Sequence, residues 1–266
     1  MNKMEELPKG LANSGAIEIA KKLESISGGK ILDVATQSGG FINTLMKTLK
    51  NFDSFIGIDI LFKDVESLEK EFENKPVEFV EMNAETLNFV DNSFDTVTIS
   101  HSIHHLMEKE MVLSEMKRVL KPDGHFIIQE PFSDGEQSAA QHSDILQHHW
   151  GAKIDKLLNI PHRNTFTRTE IEEIIAELRL RDLAVIESTH YVKCLFCNDK
   201  FECEDPKNER IIKFIISEID SDLERLIKIK DHPEFEELKE EGERLKERVQ
   251  RIGSASASHL FIIGKK

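Results

Sequence analysis

Every cysteine of the chain falls within one ten-residue stretch, as Cys194, Cys197 and Cys203. A C-x2-C pair with a third thiol close by has the spacing of a thiolate metal site, because deprotonated sulfurs favour borderline and soft ions. Closing a tetrahedral site takes a fourth ligand, for which His190 or a nearby acid is available; the competing account is three small buried residues in an insertion. A second constellation is Ile31-Leu32-Asp33-Val34-Ala35-Thr36-Gln37-Ser38-Gly39-Gly40, an apolar run carrying one acid and breaking into small residues. The helical pattern Phe41, Leu45, Met46, Leu49 follows. Strand, tight turn and helix in that order open a nucleotide-binding βαβ unit, where small side chains let backbone N–H groups approach a ligand. Histidines form a third group. His101, His104 and His105 follow an apolar run, and His142, His148, His149 and His162 lie in the polar stretch 132–165. His142 and His149 are two helical turns apart and share a face, which fits a partly buried helix, a pocket lining or a metal site.

Positioning these residues requires a sheet. Short apolar runs predict strands at 30–35, 55–59, 77–82, 96–100 and 125–129, with helices at 40–49, 63–73 and 109–120 between them. Lys121-Pro122-Asp123-Gly124 stops the last of these helices and turns the chain into the next strand. Alternating strands and helices of this kind build a parallel sheet covered on its faces. Beyond residue 131 the pattern changes: a polar, histidine-rich stretch holds Trp150, and a helix is predicted from an N-cap at Thr169 with Glu172 completing a capping box. Strand-like stretches at 183–192 and 259–263 flank two charged helical segments, 211–228 and 234–251.

With 266 residues and 39% hydrophobic content the chain can bury a core without staples. A net charge of −14 argues against a phosphate backbone as partner. No apolar run reaches membrane-spanning length, and the N-terminal residues lack the apolar core of a signal peptide. Three cysteines in a chain of this size fit a reducing compartment. The expectation is a cytoplasmic protein with a small-molecule partner, no nucleic acid and no membrane insertion.

Four motifs stand in order along this frame: Asp33-Val34-Ala35-Thr36-Gln37-Ser38-Gly39; Phe55-Ile56-Gly57-Ile58-Asp59; Asn83-Ala84-Glu85; and 91–100 with His104-His105-Leu106 and 118–124 behind it. Together they resemble the class I S-adenosylmethionine-dependent methyltransferases, in the small-molecule group that includes quinone-biosynthesis enzymes. The resemblance implies an α/β fold: a Rossmann-like seven-stranded sheet flanked by helices, with helical insertions. It implies one domain over 1–266, with a core of about 15–131, 166–192 and 256–266 and with insertions 132–165 and 193–255 forming a substrate cap. S-adenosylmethionine would be the cofactor and S-adenosylhomocysteine the product. Asp33, Ala35, Gln37, Gly39, Asp59, Ile60, Asn83, Ala84, Ser100 and His105 would bind it, with Asp59 accepting from the ribose hydroxyls and Asn83-Ala84 beside the adenine. His101, at the end of the fourth strand, is the candidate catalytic residue.

Gln37 stands where that family usually has the middle glycine of the turn, so its side chain must point away from the cofactor or touch it. The function expected is methyl transfer to a small-molecule acceptor. Two alternatives accompany it: a metalloid or thiol methyltransferase using Cys194, Cys197 and Cys203, and a non-catalytic cofactor-binding sensor or scaffold. The helical insertion is also the surface through which a homodimer would form. The stretch 132–165 is expected to act as a lid carrying Trp150 over the acceptor.

Overall fold

The computed structural model describes residues 15–188 and 205–266. They divide into two compact units. The sheet unit comprises Gly15–Glu130, Thr169–Ser188 and His259–Lys266; the helical unit takes 131–168 and 205–258.

The sheet unit opens with α1 (Ala16–Glu24), β1 (Lys30–Val34), α2 (Gly40–Thr48), β2 (Ser54–Asp59), α3 (Val65–Glu71) and β3 (Val77–Glu81). It continues with β4 (Phe94–Ser100), a 3-10 turn (Ile103–His105), α4 (Lys109–Val119) and β5 (Leu120–Pro131). After the helical unit's first segment come α6 (Arg168–Glu177) and β6 (Arg181–Ser188), and the chain closes with β7 (His259–Lys265). The strand order is β3-β2-β1-β4-β5-β7-β6. Strands β1 to β5 run parallel, and β6 pairs antiparallel with β7. This is the seven-stranded sheet expected from the motifs. The central strands are apolar almost throughout, since a parallel sheet is covered on both faces: Ile31, Leu32, Val34, Val97, Ile99, Ile127 and Ile128 are all buried. Strand order reverses between β1 and β4, and open α/β sheets place ligands at such a switch point, outside the carboxyl ends of the strands.

Some expected boundaries move. Helix α6 begins at Arg168, so Thr169 lies inside its first turn and is not its N-cap. Strand β5 starts at Leu120, directly after α4, because Leu120 already pairs with Phe94 before the Lys121–Gly124 irregularity. Helix α1 had no expected counterpart. The expected strand 183–192 is described only as far as Ser188.

In the helical unit, the stretch read as a polar lid is largely one helix, α5 (Ala139–Leu157). Its start carries a capping box that the sequence announces as Ser138-x-x-Gln141: the Gln141 N–H donates to Ser138 Oγ (3.2 Å) and the Ser138 N–H to Gln141 Oε1 (2.8 Å). Helices α7 (Glu209–Leu226) and α8 (Phe235–Ile252) pack with α5 around Trp150, Ile154, Ile219, Leu226, Leu238, Leu245 and Val249. Their heptad-like apolar positions could not be buried by any one helix alone. Trp150 is 0% exposed, and its Nε1–H donates to the Leu238 carbonyl at 2.9 Å. It is therefore a core residue of this unit and does not face solvent as a lid residue would. Gly242 makes the helix contact possible, since a Cβ there would lie 2.6 Å from the indole.

Candidate functional site

At the carboxyl end of β1 the chain makes its turn with three alternate residues in left-handed conformation: Ala35 (φ 55°), Gln37 (φ 42°) and Gly39 (φ 72°). Glycine reaches that region freely, whereas other residues are held there at about 1–2 kcal/mol each. This alternation explains why a turn of this type favours small residues at every second position. Gln37 does take the glycine-like conformation. The hydrogen bond made at that position comes from its backbone: the Gln37 N–H donates to Asp59 Oδ2 at 2.9 Å. The Thr36 N–H reaches the Ile58 carbonyl at 3.0 Å, so the turn is fastened to the end of β2.

Asp33 is withdrawn from solvent at the base of the turn. It is 1% exposed, and its two oxygens accept from Thr36 Oγ1 and from Thr98 Oγ1 (2.5 Å). Burial is the main influence on its carboxyl and pushes the pKa up to about 6; the two hydroxyl donors oppose this and the Asp59 charge adds to it. Asp33 thus braces the turn from beneath through the two threonine hydroxyls.

Asp59 ends β2 with its carboxylate half-buried at the sheet edge. Besides Gln37, it accepts a long hydrogen bond from the Leu61 N–H (3.4 Å to Oδ1), which leaves acceptor capacity for a further donor. Ile60, next in line, is 74% exposed and leaves an apolar side chain at the edge of the sheet. Beyond β3, Asn83 is exposed and forms a local turn, accepting from the Glu85 N–H (2.9 Å); Ala84 follows it.

At the end of β4 stand Ser100 and His101. His101 has φ 52°, and its N–H donates to the Gln129 carbonyl (2.8 Å). Strained backbone of this kind is a recurrent mark of functional positions. Its ring lies 4.4 Å from that of His259, and burial lowers its pKa to about 4, with the neighbouring His104 adding to the shift and Glu130 opposing it. The imidazole is neutral at physiological pH. Two buried nitrogens here, His101 Nε2 and Gln129 Nε2, have no hydrogen-bond partner among the described residues. Buried polar atoms are seldom left so, and two together suit a polar ligand.

The sequence reading missed Glu130. This residue, 0% exposed at the end of β5, accepts from the N–H groups of Ser102, Ile103 and His104, each at 3.2 Å, and pairs with the His104 ring at Nδ1. The carboxylate thereby fixes the segment that carries His101, and His105 follows with its ring 4.1 Å from that of His104. The only signal in the sequence was an acid closing an apolar strand. Cys194, Cys197, Cys203 and His190 lie outside the described residues.

The sequence model of a methyltransferase domain family matches residues 32–128, from β1 to β5. A curated relative, the ubiquinone/menaquinone biosynthesis C-methyltransferase UbiE of Geotalea uraniireducens, is 32% identical over 114 residues. That alignment covers 41% of this chain and 48% of the relative, so the chain spans about half the length of that protein. Among solved structures, a Bacillus halodurans protein assigned as a methyltransferase superposes with a TM-score of 0.54 at 16% identity, covering 94% of this chain and 98% of its own. The phosphoethanolamine N-methyltransferase 2 of Haemonchus contortus, in complex with S-adenosyl-L-methionine, gives a TM-score of 0.53 at 19% identity, covering 94% and 52%. At such identities the superpositions speak for the fold alone. Residues 32–128 match a methyltransferase domain, and the chain resembles the class I S-adenosylmethionine-dependent methyltransferases, the quinone-biosynthesis enzymes among them.

Proposed function

We propose that this protein transfers the methyl group of S-adenosylmethionine to a small-molecule acceptor. The observation that carries the reading is the assembled edge of the sheet, where the left-handed turn at Ala35, Gln37 and Gly39 is hydrogen-bonded to Asp59. The residues present suit the cofactor. Backbone at Ala35–Gly39 is open to close approach, Asp59 retains acceptor capacity for ribose hydroxyls, and Ile60 with Asn83 and Ala84 offers an apolar and amide surface for adenine. When bound, the cofactor supplies a methyl already activated on a sulfonium, so the protein's task is positioning and exclusion of water.

The acceptor would meet Ser100, His101 and Gln129. A neutral His101 can accept a hydrogen bond at Nε2 from an acceptor hydroxyl or amine and orient it, while Gln129 Nε2 donates. The family match ends at residue 128, which supports assigning acceptor specificity to 132–165 and 193–255. The relatives' names point toward small organic acceptors such as quinone precursors. No helix among the described residues is long and apolar enough to cross a membrane, and the cytoplasm is the location we favour.

Calorimetric titration with S-adenosylmethionine, run beside a turnover assay on candidate small acceptors, tests the reading. Binding together with acceptor-dependent formation of S-adenosylhomocysteine is expected. Binding without turnover on any acceptor would favour a sensor, and no binding would overturn the proposal. His101→Asn should lower kcat by at least tenfold while leaving cofactor affinity within about threefold.

A further inference from the structure

We propose that His148 and His162 form a binding site for one divalent transition-metal ion of the zinc class, built wholly within the helical unit. On α5, His148 and Asp155 are seven residues apart and so lie on one face, two turns from each other. The helix then ends in a reversal: the Leu158 N–H donates to the Ile154 carbonyl (3.0 Å), Asn159 adopts φ 58°, and the Ile160 N–H returns to the Asp155 carbonyl (2.8 Å). Farther along, His149 Nε2 meets Thr165 Oγ1 at 2.8 Å and holds the returning segment against the helix. His162 is thereby folded back over the face that carries His148 and Asp155.

The resulting geometry matches a metal site in three respects. His162 Nδ1 lies 2.7 Å from Asp155 Oδ2, and because a carboxylate only accepts, the ring proton sits on Nδ1 and Nε2 presents its lone pair. That Nε2 is 3.2 Å from His148 Nε2. Two nitrogens each about 2.0–2.1 Å from a tetrahedral ion are separated by roughly 3.3 Å, so both rings can bind one ion with little movement. Asp155 is itself oriented, since its other oxygen takes Arg225, whose Nη1 also reaches Asp222 Oδ1 at 2.5 Å. A carboxylate fixed behind a histidine in this way sets tautomer and ring direction at metal centres. A pair of imidazoles suits zinc, copper, nickel or iron better than magnesium or calcium.

An N–H···N hydrogen bond between the two rings would produce the same spacing, and metal uptake separates the two accounts. The full chain carrying Cys194→Ser, Cys197→Ser and Cys203→Ser, which removes competing thiols, is titrated with Co(II) and with Zn(II) at pH 7.5. One ion per chain is expected, with cobalt d–d bands and no thiolate charge-transfer band. His148→Ala and His162→Ala should each weaken uptake at least tenfold, and Asp155→Asn by roughly 10–100-fold. Far-ultraviolet circular dichroism and Trp150 fluorescence confirm that each variant is folded, with His148→Gln and His162→Gln as substitutes where an alanine variant is not. No saturable uptake by the cysteine-free chain, or uptake that survives loss of either histidine, overturns the proposal.

Discussion

Asp33 and Glu130 are both withdrawn from solvent beneath a turn at the same edge of the sheet, at 1% and 0% exposure, yet they hold their turns by different means. Asp33 is met by two threonine hydroxyls, one from its own turn and one from β4. Glu130 is met by three consecutive backbone N–H groups and an imidazole. A hydroxyl can rotate and lend its proton elsewhere, whereas backbone N–H groups are committed once the chain is in place. The β1 turn is therefore fastened through side chains and stays sensitive to the charge of its acid. The β4 loop is fastened through the main chain itself, and its carboxylate is part of the path the chain follows.

The largest effect should come from Glu130→Ala. It strands three buried N–H groups and the His104 ring, and a loss of about 3–5 kcal/mol in urea unfolding is expected, with His101 displaced. A loss under about 1 kcal/mol would mean that water replaces the carboxylate and that the two turns are held alike. Next is the pH response of Asp33. The folded chain keeps this proton up to about pH 6 while the unfolded chain releases it near 3.8. Stability from this group is thus full below pH 3.8 and is lost as pH rises through 6, a change of about 3 kcal/mol. Asp33→Asn should remove that share of the slope between pH 4 and 7. Asp144 and Asp222, also raised to about 6 by burial, keep theirs, so the difference between variant and parent isolates Asp33.

Asp59→Ala probes the open side of the β1 turn. Losing charge-assisted bonds to the ribose, at about 1.5–3 kcal/mol each before water compensates, should weaken S-adenosylmethionine at least tenfold in calorimetry. An unchanged affinity would remove Asp59 from the site. The smallest effect is expected from Gln37→Gly, which relieves the left-handed strain while loosening the unfolded chain, for a net gain of about 0.5 kcal/mol in thermal unfolding. A clear loss would show that the Gln37 side chain contributes something its backbone does not.

The sheet unit was legible because each of its devices is local: apolar runs mark buried strands, and small residues after β1 mark the turn. The parallel strand–helix frame follows from them, and the resemblance to the class I methyltransferases implied the seven-stranded sheet. What could not be read is what depends on distant partners. Thr98 reaches Asp33 across a span of 65 residues, and Glu130 collects its donors from 26–28 residues away. The helical unit was harder still. In α5 the apolar positions are diluted by histidines, so the stretch reads as polar, and the helix shows only in the shared face of His142 and His149 and in the start at Ser138 and Gln141. The meeting of His148 with His162 depends on the reversal at Asn159, which no periodicity encodes.

Trp150 is the chain's single tryptophan, and the structure seals it among the three helices with its indole hydrogen-bonded to Leu238. The sheet unit, with none, is dark at the wavelengths where indole emits. Nature has in effect labelled one half of this molecule. Emission follows the melting of α5, α7 and α8 alone, while far-ultraviolet circular dichroism follows both units. Any mismatch between the two denaturation curves therefore measures how far the halves unfold as one cooperative body.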